Sequence, residues 1–110
     1  MYNCIMYSKE LLKGTLQTIV LQLLAEEGRM YGYEITQKVK EITDEKILLT
    51  EGALYPTLHK LEAAGLLFTE KVYFGKRLRK YYSLTPDGKS TAAQKVAEFA
   101  EFIKTMRILL

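Results

Sequence analysis

The chain has 110 residues, with 16 lysines and arginines against 13 acidic side chains, a formal net charge of +3 and one cysteine. That length accommodates one domain with its own core and excludes two, and no apolar run approaches the roughly 20 residues that a membrane helix needs. The opening, MYNCIMYSKE, lacks the pattern of a secretory signal, so we expect a cytoplasmic protein without a membrane partner.

Residues 1–8 are expected to form a flexible tail that contains the single cysteine, Cys4. One cysteine cannot form an internal disulfide, and nothing nearby in the sequence would activate its thiol. An incidental thiol is therefore favoured over a redox sensor.

Two core helices are predicted after the tail. The first runs from about Lys9 to Glu26 and stops at Gly28, and its apolar residues recur at helical spacing. These residues are Leu12, Leu16, Ile19, Val20, Leu23 and Leu24. The second begins near Gly32 and ends in the polar turn at Asp44. Its expected core positions are Ile35, Val39 and Ile42.

A third helix should follow the extended segment ILLT, because the hydroxyl of Thr50 can cap its first amides. Leu54, Leu58 and Leu61 fall on one stripe, so this face belongs in a core, and Gly65 stops the helix. The opposite face and its flanks consist of Gly52, Ala53, Tyr55, Pro56, Thr57, His59 and Lys60. These side chains include no carboxylate, so this face can approach a nucleic-acid groove closely.

A basic hairpin is predicted next, with strands in LFTEKVYF and KYYSLT on either side of Gly75. Its inner face is expected to hold Phe68, Val72, Phe74, Tyr82 and Leu84. The cations of the hairpin are Lys71, Lys76, Arg77, Arg79 and Lys80. No acidic residue lies among them, which is typical of a surface that contacts phosphates.

The last helix should begin after Thr85, because a capping hydroxyl is followed by Pro86 at the first position and Asp87 in the first turn. Apolar residues then repeat at spacings of four and three, at Ala92, Val96, Phe99, Ile103, Met106 and Leu110. This is the seam of a coiled coil, and one small domain cannot bury all of it. We expect homodimerisation, with a helix folded back on its own core as the alternative.

These elements predict a mainly α fold with a small β-hairpin wing (α+β): a winged helix-turn-helix followed by a C-terminal dimerisation helix. The expected divisions are the tail at 1–8, the DNA-binding domain at 9–85 and the dimerisation helix at 86–110. We find no nucleophile with a base, no paired acids and no metal-ligand spacing, and His59 is the sole histidine. The protein is therefore not expected to be an enzyme or to carry a metal or cofactor.

Binding to double-stranded DNA fits the side chains better. Thr57 and His59 can hydrogen-bond base edges, while Tyr55 can reach a phosphate or a thymine methyl group. Half-buried packing is the alternative for Tyr55 and for Tyr33, which is a candidate for a phosphate contact. The predicted DNA-binding set is Tyr33, Thr50, Gly52, Ala53, Tyr55, Pro56, Thr57, His59, Lys60, Lys76, Arg77, Arg79 and Lys80. In the hairpin we expect the cations to grip the backbone or the minor groove, with Lys80 pointing the same way as the arginines.

The segment EGALYPTLHKLEAAGLL, followed by GKRLRKYYSLTPDGK, closely resembles the PadR family of bacterial winged-helix transcriptional regulators. The resemblance extends upstream to KGTLQTIVLQLLAEEGRMYGYEI and so covers nearly the whole chain. It implies a sequence-specific repressor that binds a pseudo-palindromic operator as a dimer, with the third helix in the major groove and the wing beside it. Leu78 stands where a proline is common in the family, which leaves the shape of the wing tip open.

The resemblance also implies release from DNA by a small apolar or aromatic effector in the dimer interface, where Phe99 occupies the place of a stacking residue. Plain interface packing is the alternative for Phe99. The residues predicted to dimerise are Leu12, Leu16, Ile19, Ala92, Val96, Phe99, Ile103, Met106 and Leu110. Two rival functions are left open by the sequence: a winged-helix protein-interaction module without DNA binding, and a carrier of small molecules.

Overall fold

The helices and strands of a computed structural model, which describes residues 7–110, follow the predicted order. They are α1 (Lys9–Lys13), α2 (Leu16–Glu27), β1 (Met30–Tyr31), α3 (Gly32–Ile42), α4 (Glu51–Ala63), β2 (Leu67–Phe74), β3 (Arg77–Leu84) and α5 (Pro86–Leu109). The predicted fold class, mainly α with a small antiparallel wing, is confirmed. The predictions for Cys4 and for most of the tail lie outside the described residues.

The predicted first helix is interrupted, because α1 ends at Lys13 and α2 begins at Leu16. The carbonyl oxygen of Leu12 accepts hydrogen bonds from both the hydroxyl (2.9 Å) and the backbone amide (3.0 Å) of Thr15. This local turn closes α1 with Gly14 as its C-cap. The leucine pattern continues across the turn, so periodicity alone could not reveal the break.

The core lies between α2, α3, α4 and one face of the sheet. Its most deeply buried side chains are Val20, Leu21, Ile35, Leu54, Leu58, Leu61 and Tyr82. The predicted apolar stripe of α4 is therefore confirmed, as is the cap, since the Thr50 hydroxyl accepts a hydrogen bond from the Ala53 amide at 3.2 Å.

Ile42 was predicted to be a core residue, and this is wrong: it is 63% exposed. It is the last residue of α3, after which the chain turns away through positive φ angles at Asp44 and Glu45.

The sheet has the order β1-β3-β2, and all its pairings are antiparallel. The sequence did not predict β1, which is only two residues long and pairs Met30 with Tyr82 and Tyr31 with Tyr81. This short strand joins the start of α3 to the central strand of the wing. Backbone hydrogen bonds as well as side-chain contacts therefore connect the helix pair to the wing.

The prediction for the inner face of the hairpin is partly wrong. Leu67 pairs with Leu84 and Thr69 with Tyr82, so the odd-numbered residues of β2 share the face of Tyr82. Phe68, Val72 and Phe74 therefore lie on the outer face, where Phe68 and Phe74 are exposed. The run Leu66, Leu67 and Phe68 is apolar throughout, so it gave no alternation by which to choose the face, and an error of one residue moves a whole set of side chains.

The predicted start of α5 is confirmed, because the Thr85 hydroxyl accepts a hydrogen bond from the Gly88 amide at 3.0 Å. The same hydroxyl donates to the carbonyl oxygen of Gly65 at 2.7 Å, so one threonine joins the end of α4 to the start of α5. Helix α5 packs on α2 and has its buried residues, Gly88 and Ala92, in its first half, whereas its end is open, with Leu110 97% exposed. Between residues 7 and 110, no helix combines the length and the apolar character that crossing a membrane requires.

Gly88 of α5 lies against the backbone of Leu66, the residue before β2, and it provides a test of the fold. A Cβ atom there would overlap the carbonyl oxygen of Leu66, which is backbone and cannot swing aside. Gly88→Ala should lower the free energy of unfolding by about 1–3 kcal/mol because of this overlap. Urea denaturation measures the change. The matched control is Gly52→Ala in the first turn of α4, where the nearest atom would be 4.0 Å away; it should be neutral or slightly stabilising. Equal effects of the two substitutions would contradict the packing described for α5.

Candidate nucleic-acid interface

The face of α4 that points away from the core is exposed, and the side chains of its first turn are short. Gly52, Ala53, Pro56, His59 and Lys60 are all exposed, as the stripe of leucines on the opposite side predicts. The Thr57 hydroxyl donates to the carbonyl oxygen of Ala53 at 3.2 Å and so lies along the helix. Small residues fill the first turn, which allows the helix backbone to approach another molecule closely.

Tyr55 joins α4 to the start of α3. A Cβ atom on Gly32 would overlap the Tyr55 hydroxyl and lie 2.8 Å from its Cζ atom, so the ring occupies the space that a side chain at position 32 would need. Tyr55 is half-buried and packs against the core. Of the two interpretations of this tyrosine, packing is the one that the structure supports. Tyr33 differs, because it is 60% exposed beside the same junction.

A groove of about 580 Å³ separates the wing from the helix pair. It is lined by Tyr31, Gly32, Tyr33, Tyr55, Arg77, Leu78, Arg79, Lys80 and Tyr82. This lining contains three cations and no carboxylate. The structure thus brings the predicted tyrosines and three of the predicted hairpin cations to one concave surface, whereas Lys76 lies in the turn of the wing.

Lys80 points away from the arginines, which corrects the prediction that it points with them. Successive residues of a strand alternate between faces, and Lys80 lies on the inner face, where its Nζ atom is 3.8 Å from Oε1 of Glu62. Glu62 also accepts a hydrogen bond from the Thr69 hydroxyl at 3.3 Å. Burial raises the pKa of the neighbouring Tyr82 phenol, an effect that the positive charge of Lys80 opposes, so the phenol is neutral at physiological pH. These contacts connect the end of α4 to both strands of the wing.

The outer face of the sheet carries a ladder of rings and guanidinium groups that the sequence did not predict. The Cζ atom of Arg79 lies 4.4 Å from the ring centroid of Tyr31 and 4.6 Å from that of Phe74. Arg29 lies 4.4 Å from the ring centroid of Tyr81, which meets Tyr31 edge-on at 5.4 Å. Only the correct strand register brings these groups together, so a sequence pattern could not have shown them.

Lys76 and Arg77 at the wing tip are in a different environment. Both side chains are exposed, and neither takes part in a salt bridge with another residue between positions 7 and 110. Their charges are therefore available to a ligand, unlike that of Lys80.

The residues predicted to dimerise fall into two groups. Leu16 and Ala92 are 8% and 2% exposed within the single chain, so these two belong to its own core, and the prediction that they form an interface is corrected. Leu12, Ile19, Val96, Phe99 and Met106 are half-buried, and Ile103 and Leu110 are exposed. The ring of Phe99 stacks on that of Phe102 with centroids 6.4 Å apart. An apolar surface remains along the second half of α5.

Two helices joined by a turn, with a β-hairpin beside the second helix, define a winged-helix protein. Residues 20–94 match the model of the transcriptional regulator PadR-like family, and the chain belongs to this family. The chain is a PadR-family transcriptional regulator in its fold and in its sequence.

Related proteins agree with this assignment. A transcriptional regulator of Mycobacterium tuberculosis is 36% identical over 70 residues, which are 64% of this chain and 63% of that protein. The solved structure of a transcriptional regulator from Clostridium thermocellum is similar with a TM-score of 0.85 and 30% identity, over 93% of this chain and 99% of that one. Bacillus subtilis PadR, solved in complex with operator DNA, is similar with a TM-score of 0.68 and 29% identity, over 74% of this chain and 47% of that one.

The contact between Gly32 and Tyr55 predicts a specific coupling between α3 and α4. Gly32→Ala should destabilise the protein by about 1–3 kcal/mol, because the new methyl group displaces the Tyr55 ring. In a Tyr55→Phe background the cost should be smaller, because the overlapping hydroxyl is gone. Chemical denaturation of the four proteins of this double-mutant cycle measures the coupling. Gly14→Ala is the control, since its Cβ would have no neighbour within 4 Å. Additive effects of the two substitutions would contradict the contact.

Proposed function

We propose that the protein is a sequence-specific repressor of transcription that binds a pseudo-palindromic DNA operator as a homodimer. The observation that carries the proposal is the exposed outer face of α4, which holds no carboxylate, beside a wing whose Lys76 and Arg77 are exposed and take part in no salt bridge within residues 7–110. The solved complex of Bacillus subtilis PadR with operator DNA supports it further, since the two chains share the fold. Residues 9–85 form the DNA-binding domain in this proposal, and residues 86–110 form the dimerisation helix.

In the proposed complex α4 enters the major groove with its exposed face. Gly52, Ala53 and Pro56 leave the helix surface low enough to approach the bases, and His59 and Lys60 can bond to base edges or phosphates. Thr50 and Tyr33 lie at the starts of α4 and α3, where backbone amides and a phenol can hold phosphates. Tyr55 acts indirectly, by fixing the position of α4 against α3.

The wing in this proposal follows the DNA backbone beside the major groove. Each subunit presents four exposed cations on α4 and the hairpin, which are Lys60, Lys71, Lys76 and Arg77. If each neutralises one phosphate, a dimer neutralises eight. The slope of log affinity against log salt concentration should then be near −7, by the rule of about −0.9 per phosphate.

The first test of DNA binding is charge reversal at the wing tip. Lys76→Glu and Arg77→Glu should each weaken binding to every duplex and make the salt slope less steep, because each removes a sequence-independent phosphate contact. Fluorescence anisotropy against the protein's own upstream promoter and a scrambled duplex, at several salt concentrations, measures both quantities. Lys104→Glu makes the same charge change on an exposed position of α5, away from the wing, and should have little effect.

Negligible affinity of the wild-type protein for both duplexes at low salt would contradict DNA binding. It would favour the alternative of a winged-helix protein-interaction module.

The homodimer is proposed from the apolar surface of α5. Phe102, Ile103, Ile108 and Leu109 are exposed on the second half of a helix whose first half already packs on α2. A second copy of the chain would cover this surface by a symmetric helix pairing, with Val96, Phe99, Ile103, Met106 and Leu110 along the seam. Two recognition helices would then read half-sites about 34 Å apart or a multiple of that distance.

Ile103 provides the test of the dimer. Ile103→Glu places a charge in the proposed seam and should convert a dimer into a monomer, because a buried unpaired carboxylate is costly. Sedimentation velocity measures the change. The control is Thr105→Glu on the same helix, where the side chain is exposed and outside the seam, and it should leave the dimer intact. A wild-type protein that sediments as a monomer at micromolar concentration would contradict the proposal.

Repression and release by a small apolar or aromatic effector are proposed from membership of the family. The stacked rings of Phe99 and Phe102 lie on the surface that a dimer would enclose, which supports an aromatic site there. An effector must favour one arrangement of the two DNA-binding domains over another to release DNA. A reporter gene behind the protein's own promoter, with and without aromatic compounds, tests both parts.

A further inference from the structure

Arg79 occupies a position that a DNA-contacting arginine of the wing would not require. Its guanidinium group lies 4.4 Å from the Tyr31 ring and 4.6 Å from the Phe74 ring, and the side chain is half-buried. Arg77, two residues earlier on the same face of β3, is exposed. The two arginines of the wing therefore differ in environment although the sequence presents them as equivalent.

The two rings that Arg79 contacts belong to different parts of the fold. Tyr31 is the N-cap of α3 and so stands at the entry to the helix pair, while Phe74 ends β2 at the tip of the wing. The guanidinium group thus spans from the helix pair to the outer half of the hairpin. Arginine suits this place, because its planar group can stack on both rings at once, whereas a lysine ammonium group is a compact charge that cannot stack as a plane.

Backbone pairing does not restrain the tip of the wing against the helix pair. Strand β1 pairs only with Tyr81 and Tyr82, so the part of β3 nearer the tip has no strand beside it on the groove side. The salt bridge from Lys80 to Glu62 restrains the inner face of the hairpin, and the contacts of Arg79 restrain the outer face. Without Arg79 the outer face is restrained only at the base of the hairpin, where Arg29 contacts the Tyr81 ring and Glu70.

We propose that Arg79 is a positioning residue that fixes the wing against the helix pair through its contacts with Tyr31 and Phe74, so that Lys76 and Arg77 meet the DNA backbone. This inference rests on the proposed DNA-binding function. Tyr31 and Phe74 then belong to the binding apparatus although neither touches DNA.

The first part of the test uses DNA binding to distinguish a positioning role of Arg79 from a direct contact of its charge with phosphate. Arg79→Lys keeps the positive charge and replaces planar stacking on two rings by a weaker ammonium contact, so affinity should fall by roughly 5- to 10-fold while the salt slope stays that of the wild type. Arg77→Gln should instead make the slope less steep, by about 0.9 for each phosphate that is no longer neutralised. The proposal is overturned if Arg79→Lys binds like the wild type and Arg79→Gln flattens the slope as Arg77→Gln does.

The second part uses the DNA-free protein and so does not depend on the proposed function. Hydrogen exchange of the backbone amides of residues 71–80 should become faster in Arg79→Lys and in Tyr31→Leu, because both release the outer face of the hairpin. Tyr31→Phe keeps the ring and should retain the protection of the wild type. The effects of Tyr31→Leu and Arg79→Lys on exchange should combine to less than their sum in the double variant, since the two substitutions remove one shared contact.

Unchanged exchange in both Arg79→Lys and Arg79→Gln would overturn the positioning role whatever the DNA result. Wild-type protein without salt-sensitive DNA binding would overturn the proposed function, and exchange would still decide whether Arg79 holds the wing.

Discussion

The close contact of Tyr55 with Gly32 is the constraint on which the DNA-binding surface depends. It fixes the start of α3 against the first turns of α4, and residues at this junction line the helix side of the groove. Only glycine leaves the space that the phenol ring fills. In the proposed complex this internal contact sets the angle at which the exposed face of α4 meets DNA.

The wing is attached to this junction on both of its faces, and the two attachments differ in physical kind. On the inner face Glu62 receives Lys80 and the Thr69 hydroxyl, which are partly solvent-screened polar contacts. The outer face adds contacts of another kind, those of Arg79 with the rings of Tyr31 and Phe74, beside a salt bridge from Arg29 to Glu70 at 3.8 Å.

The sequence predicted those features that depend on local periodicity or on a single capping residue. The stripe of Leu54, Leu58 and Leu61 and the cap at Thr50 are of this kind, because each is decided within one or two turns of helix. The faces of Phe68 and Phe74 and the strand at Met30 depend on register between distant segments, and a short apolar run does not encode that register. The contact of Arg79 with Tyr31 could not be predicted for the same reason, because it also depends on strand register.

The basic hairpin shows why a count of charges does not equal a count of DNA contacts. Five cations stand between positions 71 and 80, and the sequence treats them alike. In the fold, Lys80 is engaged by Glu62 and Arg79 by two rings, which leaves Lys71, Lys76 and Arg77 exposed. If all five and Lys60 met phosphates in each subunit, the salt slope of a dimer would approach about −11, whereas the exposed cations alone give about −7. In the proposed complex the slope therefore reports how many of these cations contact phosphates.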